Sequence, residues 1–324
     1  MIRDIAIMLF VAGGVRMGTN RLNLLTVVGE IFAGVLIGPT IFNWVTTSSS
    51  IEHVSEVGVV LLLLNAGMHI DSKELRRVGT ASAMVALLGV VLPLVGGFLA
   101  GLAFGESRNT SLFIGAALSA TSIGITARVF GDLKQLDSVN ARIVLGAAVA
   151  DDVLGLIILA IASIAIQNGS FDFANLATTI FVVGSFFVGV AIGNSPRKLT
   201  VKRSLIPFNF IFIPIFFVGI GLRAEVGNIA STRGFLIVVV LCLVAFLAKF
   251  AAGFVVRLPG ADKSLIGLGM VPRGEVGLIF ANTAVNLNVF GPTIYSAVVL
   301  VVLVTTVLSP SLLRIRLKHT EATH

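Results

Sequence analysis

The chain has 324 residues, of which 56% are hydrophobic and only 12% are charged. A soluble domain carries about twice that share of charge, so the composition excludes a soluble globular protein and predicts a polytopic membrane protein. The single cysteine, Cys242, lies in an apolar run, which excludes disulfides and cysteine metal sites. The four histidines lie at predicted helix ends or near the C-terminus, so we expect neither a histidine metal centre nor a cofactor.

Apolar runs separated by short polar loops predict about eleven transmembrane helices. The first run is as short as the core of a signal peptide, but no small-residue cleavage site follows it, so we interpret it as a span. The predicted spans are 3–19, 24–45, 52–70, 79–104, 111–130, 140–166, 174–194, 206–222, 232–256, 262–284 and 292–314.

The Lys and Arg residues outside the apolar runs are divided unevenly between the two sets of alternate loops. Because cytoplasmic loops carry the excess of positive charge, we predict that the N-terminus lies outside and the C-terminus in the cytoplasm. The expected location is an inner (cell) membrane of bacterial type. The net charge of +7 therefore indicates topology rather than a nucleic-acid surface. The richer set has 17 cations, Arg16, Arg21, Lys73, Arg76, Arg77, Arg128, Lys134, Arg142, Arg197, Lys198, Lys202, Arg203, Arg257, Lys263, Arg314, Arg316 and Lys318, and the poorer set has Arg3, Arg108, Arg223 and Arg233.

Two predicted spans, 111–130 and 262–284, contain residues that interrupt a helix. Interruptions at membrane depth persist where the freed backbone lines a cavity or meets protein, although a proline kink or a Ser/Thr packing seam would explain either one alone. Each is the middle of a three-helix unit, and the two units have opposite orientations, which is the pattern of inverted repeats around an ion site. The residues are Ser119, Thr121, Ser122, Gly124 and Thr126 in the first span, and Pro272, Arg273, Gly274, Glu275 and Gly277 in the second.

Asp151 and Asp152 lie side by side inside the predicted span 140–166. Each acid near the centre of a membrane helix costs about 2.5–3.5 kcal/mol on insertion scales, so such acids face water, a cation or an ion partner. A pair at the bilayer edge and a purely structural ion pair are the alternatives. Because helix neighbours are about 100° apart, we expect one carboxylate to face a buried cation and the other to face an ion path. Lys249, inside the ninth span, is the candidate cation.

Hard monovalent cations bind oxygen ligands, which Thr121, Ser122 and the carbonyl groups near Gly124 supply beside the carboxylates. Desolvation favours the protonated acid, so a proton and a cation compete for one site and exchange without a cofactor. For Arg273 and Glu275, a salt bridge that braces the broken helix is favoured over direct ion binding.

Three further residues are accessory candidates. Glu30, in VVGEIFAGVLIGP, is predicted either to brace helix packing or to line the ion path. Thr126 and Arg128, which follow the interruption in the fifth span, are accessory candidates at the site.

Taken together, these residues resemble the monovalent cation:proton antiporter-2 family and, more distantly, the Kef-type potassium efflux proteins. The resemblance covers most of the chain. Its specific segments, in chain order, are VVGEIFAGVLIGP, ATSIGITARV (120–129), ARIVLGAAVADDVLGLIILA (141–160), the lysine of 245–254, and VPRGEVGLI (271–279).

The resemblance implies an all-α, NhaA-like antiporter fold with inverted repeats and two broken, crossing helices. It implies a homodimer in which a core domain moves relative to a scaffold. By the same resemblance, Asp152 matches the residue that binds the monovalent cation, Asp151 and Lys249 match an ion pair, and Thr121 and Ser122 match the crossing.

The predicted domains follow from this assignment. Residues 1–78 and 167–231 form the scaffold, 79–166 and 232–316 form the two halves of the core, and 317–324 form a cytoplasmic tail.

The chain departs from the family in one place. Family members typically have two more helices between the Asp-Asp helix and residues 211–222, whereas residues 178–196 here resemble the start of one family helix joined to the end of a later one. The loss of an even number of helices preserves the orientation of everything downstream. A natural minimal variant, an internal deletion and an engineered chain are all compatible with this pattern.

The expected function is a secondary active antiporter, not an enzyme, that exchanges Na⁺ (or Li⁺ or K⁺) for H⁺ across the lipid bilayer by alternating access. The alternatives are a potassium efflux antiporter or channel-like protein, and a shortened, transport-inactive homologue. An intramembrane aspartyl protease is disfavoured because its two aspartates must face one water from different helices, whereas these two are adjacent on one helix.

Overall fold

The computed structural model describes residues 2–22, 26–39, 41–69, 79–132, 135, 138–166, 173–224 and 226–322. Every element of regular structure in these residues is a helix, which confirms the all-α fold class. The predicted loop cations Lys73, Arg76, Arg77 and Lys134 lie outside the described residues.

The helices are numbered here in chain order, and a 3₁₀ turn, Gly253–Val255, extends α11. They are α1 (Ile2–Leu22), α2 (Thr26–Ile37), α3 (Ser49–His69), α4 (Thr80–Ala103), α5 (Arg108–Ser119), α6 (Ile123–Asp132), α7 (Val139–Ile166), α8 (Phe173–Gly193), α9 (Lys198–Arg223), α10 (Val226–Ile229), α11 (Thr232–Ala252), α12 (Lys263–Met270), α13 (Glu275–Asn286) and α14 (Pro292–Ala322).

Helical residues occur in each of the eleven predicted spans. Among the described residues, five helices are long and apolar enough to cross a membrane by length and composition, which makes this a multi-pass membrane protein. The full count of eleven spans stays a prediction. The five are Thr80–Ala103, Val139–Ile164, Lys198–Arg223, Thr232–Val255 and Pro292–Leu317.

The prediction for the second span, 24–45, is too long, because α2 ends at Ile37. Pro39 disfavours the helical conformation at Gly38, which precedes it. The chain then turns back, and the backbone N–H of Trp44 donates to the carbonyl oxygen of Ile37 at 2.9 Å.

Two other helices are longer than predicted. The eighth predicted span, 206–222, lies within α9, which begins at Lys198. The last helix continues to Ala322, so residues 317–322 of the predicted tail are helical.

The chain forms two compact units. The first contains Met1–Ser72 and Phe171–Thr232, with helices α1 to α3 and α8 to α10. The second contains Lys73–Ser170 and Arg233–His324, with helices α4 to α7 and α11 to α14. The boundaries lie close to those predicted for the scaffold and the core, and the roles of the two units stay predictions.

Glycine allows the helices of the first unit to pack at close distance. A Cβ atom on Gly189 of α8 would lie 3.1 Å from the Cα of Gly67 in α3 and would overlap the carbonyl oxygen of Leu64. Without the hydrophobic effect to drive helices together in lipid, such close backbone contact provides the packing energy. Asn65 and Asn209 add a reciprocal pair of amide hydrogen bonds between α3 and α9, at 2.8 and 3.2 Å.

The second unit contains both predicted interruptions, which the structure confirms. Residues 120–122 are not helical and separate α5 from α6, while residues 271–274 separate α12 from α13. The two breaks cross: the backbone N–H of Ser122 donates to the carbonyl oxygen of Pro272 at 2.9 Å.

The two broken helices run in opposite directions. Near the start of α5, Thr110 Oγ1 donates to the carbonyl oxygen of Val289, just beyond the end of α13, at 3.0 Å. On the other side of the crossing, Thr126 Oγ1 in α6 donates to the carbonyl oxygen of Gly269 in α12 at 2.7 Å. As the residue number rises in one broken helix it falls in the other, as expected for inverted repeats.

The close contact between α8 and α3 predicts that a side chain added at Gly189 destabilises the protein. Gly189→Ala should lower the free energy of unfolding by about 1–3 kcal/mol, because overpacking forces the two helices apart. Gly184→Ala, on the same helix, is the control, since a Cβ there has no neighbour within 4 Å. Thermal unfolding of the purified protein in detergent measures both, and equal midpoints for the two variants would contradict the prediction.

Candidate functional site

The adjacent aspartates lie on α7 at the level of the break between α12 and α13. On one side of them, a Cβ built on Gly269 at the end of α12 would lie 2.9 Å from Val144 Cγ1. On the other side, a Cβ built on Gly155 would lie 3.8 Å from Val276 Cγ1 at the start of α13. Because Asp151 and Asp152 lie between Val144 and Gly155 on α7, the two carboxylates are placed beside the non-helical residues.

Asp151 forms a buried ion pair with Lys249 of α11. Lys249 Nζ lies 2.7 Å from Asp151 Oδ2, and both side chains are 0% exposed. Removing both charges from water costs several kcal/mol for each ion, and the attraction across this short distance repays part of that cost. Asp151 Oδ1 has no hydrogen-bond partner among the described residues.

Asp152 is also buried, with 8% of its surface exposed. As the next residue on α7, it projects about 100° around the helix from Asp151, so the two carboxylates face different neighbours. The hydrogen bond from Lys249 goes to Asp151, and the separate role expected for Asp152 stays a prediction.

The hydroxyl residues of the first break meet the carbonyl groups of the second. Thr121 Oγ1 lies 3.4 Å from the carbonyl oxygen of Met270, and the Thr126 hydroxyl is engaged with Gly269 as described above. Thr121, Ser122 and Thr126 are all buried. A hydroxyl that donates to a carbonyl group retains its oxygen lone pairs, so Thr121 can still act as an oxygen ligand, as can the hydroxyl of Ser122 beside it.

Arg273 braces the crossing, but through carbonyl groups. Its two terminal nitrogens donate to the carbonyl oxygens of Ala120, in the first break, and Ala245, in α11, both at 2.8 Å. The described hydrogen bonds of Arg273 therefore go to carbonyl oxygens, and the salt bridge predicted for the broken helix stays a prediction. The main chain at the two breaks leaves carbonyl groups free of helical bonds, and the N–H groups of a guanidinium are effective donors to them.

Three candidate residues are not placed in this group. Glu30 is buried on α2, in the first unit, whereas the aspartates, Lys249 and both breaks belong to the second. The backbones of Arg128 and Glu275 lie in α6 and α13, and their side chains lie outside the described residues.

Sequence reasoning missed Thr306 of α14. Its hydroxyl donates to the carbonyl oxygen of Arg273, inside the second break, at 2.6 Å. Thr305 and Thr306 stand in the apolar run VVLVTTVLS, where adjacent threonines are normally satisfied by their own helix. Only the packing of α14 against the break distinguishes one threonine from the other.

The buried ion pair makes a prediction about stability. Asp151→Asn alone should lower the free energy of unfolding by about 3–5 kcal/mol, because it leaves the Lys249 charge buried and uncompensated. The double variant Asp151→Asn/Lys249→Gln should lose much less, since neither charge remains.

Chemical unfolding in detergent measures the four members of this cycle. The exposed pair Arg233–Glu106, with 3.3 Å between Nη2 and Oε1, is the control, because exposed pairs contribute about 0–1 kcal/mol. Strictly additive losses in the Asp151/Lys249 cycle would contradict the prediction.

Comparison with known proteins matches one family over almost all of the chain. The family model described as "Sodium/hydrogen exchanger, transmembrane" matches residues 5–185 and 181–319. The Na⁺/H⁺-K⁺ antiporter GerN of Bacillus cereus is 31% identical, over 91% of this chain and 90% of its own. The high-affinity Na⁺/H⁺ antiporter NhaS3 of Synechocystis is 30% identical, over 91% of this chain and 85% of its own.

A solved structure has the same fold. The sodium proton antiporter MjNhaP1 of Methanocaldococcus jannaschii superposes with a TM-score of 0.68 and covers 95% of this chain and 94% of its own. At 14% sequence identity, this likeness concerns the fold alone.

The comparisons also support the predicted internal shortening. The alignment with GerN extends over 351 positions but uses 91% of the 324 residues, about 295, so roughly 55 positions of the relative have no counterpart here. The family model matches in two pieces that meet at residues 181–185, inside the predicted junction 178–196. Both pieces match the same model, and together they cover almost all of the sequence. The chain therefore belongs to the sodium/hydrogen exchanger family.

Proposed function

We propose that this protein is a secondary active antiporter that exchanges Na⁺ for H⁺ across the cell membrane. The family is one of transporters rather than enzymes, and the relatives described above are named as Na⁺/H⁺ antiporters. The observation that carries the proposal is the placement of two buried aspartates beside crossing helix breaks, with one aspartate already paired to Lys249.

In this proposal, Asp152 is the residue that binds either the cation or the proton. Its side chain is buried, so a cation or a proton that binds there lowers the cost of keeping a negative charge away from water. Na⁺ prefers oxygen ligands, and the hydroxyls of Thr121 and Ser122 at the neighbouring break complete the site. Because one carboxylate serves both ions, binding one releases the other, and exchange follows without a cofactor.

The pair between Asp151 and Lys249 has a different role. The lysine forms an ion pair with Asp151, and Asp152 is the carboxylate that we assign to the transported ions. In this assignment the pair holds α7 against α11 beside the ion site.

We assign the second unit, with both broken helices, as the core and the first unit as the scaffold. Alternating access is then a movement of the core that exposes Asp152 to each side of the membrane in turn. By the family resemblance, we further propose a homodimer in a bacterial-type inner membrane.

Removing the charge of Asp152 tests the transport proposal. Asp152→Asn in proteoliposomes should reduce Na⁺-driven proton movement to the level of empty liposomes, because the amide carries neither a charge nor a releasable proton. A pH-sensitive dye inside the vesicles measures proton movement, with Na⁺, Li⁺ and K⁺ tested separately.

Glu106→Gln, which changes a loop carboxylate of the same unit, should leave exchange unchanged and is the control. Unaltered exchange in Asp152→Asn would refute the site. An inactive wild-type protein would identify a transport-inactive homologue, and steady K⁺ current without proton counterflow would identify a channel-like protein.

The proposed topology predicts which loops are accessible from outside. In a Cys242→Ser background, a membrane-impermeant maleimide applied to intact cells should label Asn109→Cys, in the first turn of α5, but not Thr200→Cys, at the start of α9. Both positions are exposed in the structure, so the membrane alone distinguishes them. Disruption of the cells should make Thr200→Cys reactive, and the reverse pattern would invert the assigned orientation.

A further inference from the structure

The break between α12 and α13 leaves main-chain carbonyl groups without the backbone N–H partners that a continuous helix would supply. In a membrane such groups need partners from protein or from a water-filled cavity. The carbonyl oxygens of Gly269, Met270 and Pro272 face donors from the other broken helix, through Thr126, Thr121 and the backbone of Ser122. The fourth carbonyl group, that of Arg273, accepts its hydrogen bond from a helix outside the crossing.

That donor is Thr306 of α14, at 2.6 Å from the Arg273 oxygen. Its neighbour Thr305 behaves as threonines in membrane helices usually do, because its hydroxyl donates to the carbonyl oxygens of Val301 and Val302 in its own helix, at 2.8 and 3.1 Å. Both threonines are buried. The two hydroxyls therefore differ in one respect: Thr306 connects α14 to the break, and Thr305 connects α14 to itself.

Arg273 extends this connection to the residues around the ion site. Its guanidinium holds the carbonyl oxygen of Ala120, which directly precedes Thr121 and Ser122. It also holds the carbonyl oxygen of Ala245, one helical turn before Lys249. A displacement of the Arg273 main chain therefore reaches both the proposed hydroxyl ligands and the lysine that pairs with Asp151.

The spacing at the crossing leaves little room to absorb such a displacement. A Cβ atom on Gly274 would lie 2.6 Å from Ser122 Cβ, closer than side chains pack. Ser122 is also tied to Pro272 through its backbone N–H. The residues on either side of Arg273 thus contact the first break directly.

We propose that Thr306 is a positioning residue for cation exchange: it fixes the Arg273 carbonyl group and thereby sets the geometry of Thr121 and Ser122 around the bound cation. Thr306 contacts no reacting group in this scheme. The proposal rests on the antiport function proposed above, and it assigns to α14 a role in cation affinity.

The test compares three variants in proteoliposomes. Thr306→Val removes the hydroxyl at nearly constant volume and should raise the KM for Na⁺ about 3- to 10-fold, with a smaller change in maximal rate, as expected for loss of one buried hydrogen bond. Thr305→Val is the matched control and should stay within about twofold of wild type, because its hydroxyl bonds only its own helix. Thr306→Ser, which keeps the donor, should restore the wild-type KM.

Two further readouts separate positioning from general damage. The pH profile of exchange should shift in Thr306→Val, since proton and cation compete for one carboxylate, and should not shift in Thr305→Val. Na⁺ should also raise the thermal unfolding midpoint of Thr306→Val in detergent less than it raises that of wild type.

The possible failures are distinguishable. An inactive wild-type protein would overturn the proposed function and this role with it. Active wild type with Thr306→Val indistinguishable from Thr305→Val would overturn the positioning role alone. If Thr306→Val does not fold while Thr305→Val does, Thr306 is a folding residue and the proposal is wrong.

Discussion

The second unit depends on one constraint: in a membrane, the polar backbone groups freed by an interrupted helix must find partners inside the protein. The two breaks meet this requirement by crossing, so that Ser122 bonds Pro272 across the gap. Side chains complete the arrangement, because Thr126 and Thr306 bond carbonyl groups of the second broken helix and Arg273 bonds one of the first. The breaks are therefore mutually dependent, and neither would be satisfied without the other.

Because the two breaks meet, polar main-chain groups are gathered at one depth of the second unit, where a charged side chain can be accommodated. The two breaks interrupt the apolar helix packing at one depth, and α7 brings its adjacent aspartates to that depth between contacts with α12 and α13. One carboxylate is neutralised by Lys249 at 2.7 Å. The adjacent Asp152 is also buried, and in the proposed function it is the carboxylate that binds the transported cation or proton. The carboxylate that is costly to bury is thus the same group that carries out the proposed exchange.

The helices of the first unit pack against one another in a simpler way. Its helices approach through glycine, as where Gly67 of α3 faces Gly189 of α8, and a reciprocal pair of asparagine amides joins α3 to α9. The junction at 181–185, where the two family matches meet, lies within α8 only a few residues before Gly189. The shortened segment thus forms a continuous helix that retains close packing with α3.

The sequence by itself determined the membrane class, the approximate helices and both breaks, because hydrophobicity, proline, glycine and hydroxyl residues act locally. It also singled out Asp151, Asp152, Lys249 and Arg273, since a charge inside an apolar run is visible without a structure. It overextended the second span past Gly38–Pro39, and it did not identify the carbonyl oxygens of Ala120 and Ala245 as acceptors for the Arg273 guanidinium. Only the tertiary structure decided that Thr306, and not the adjacent Thr305, holds the break. Two identical side chains in one apolar helix differ only in what the fold places beside them.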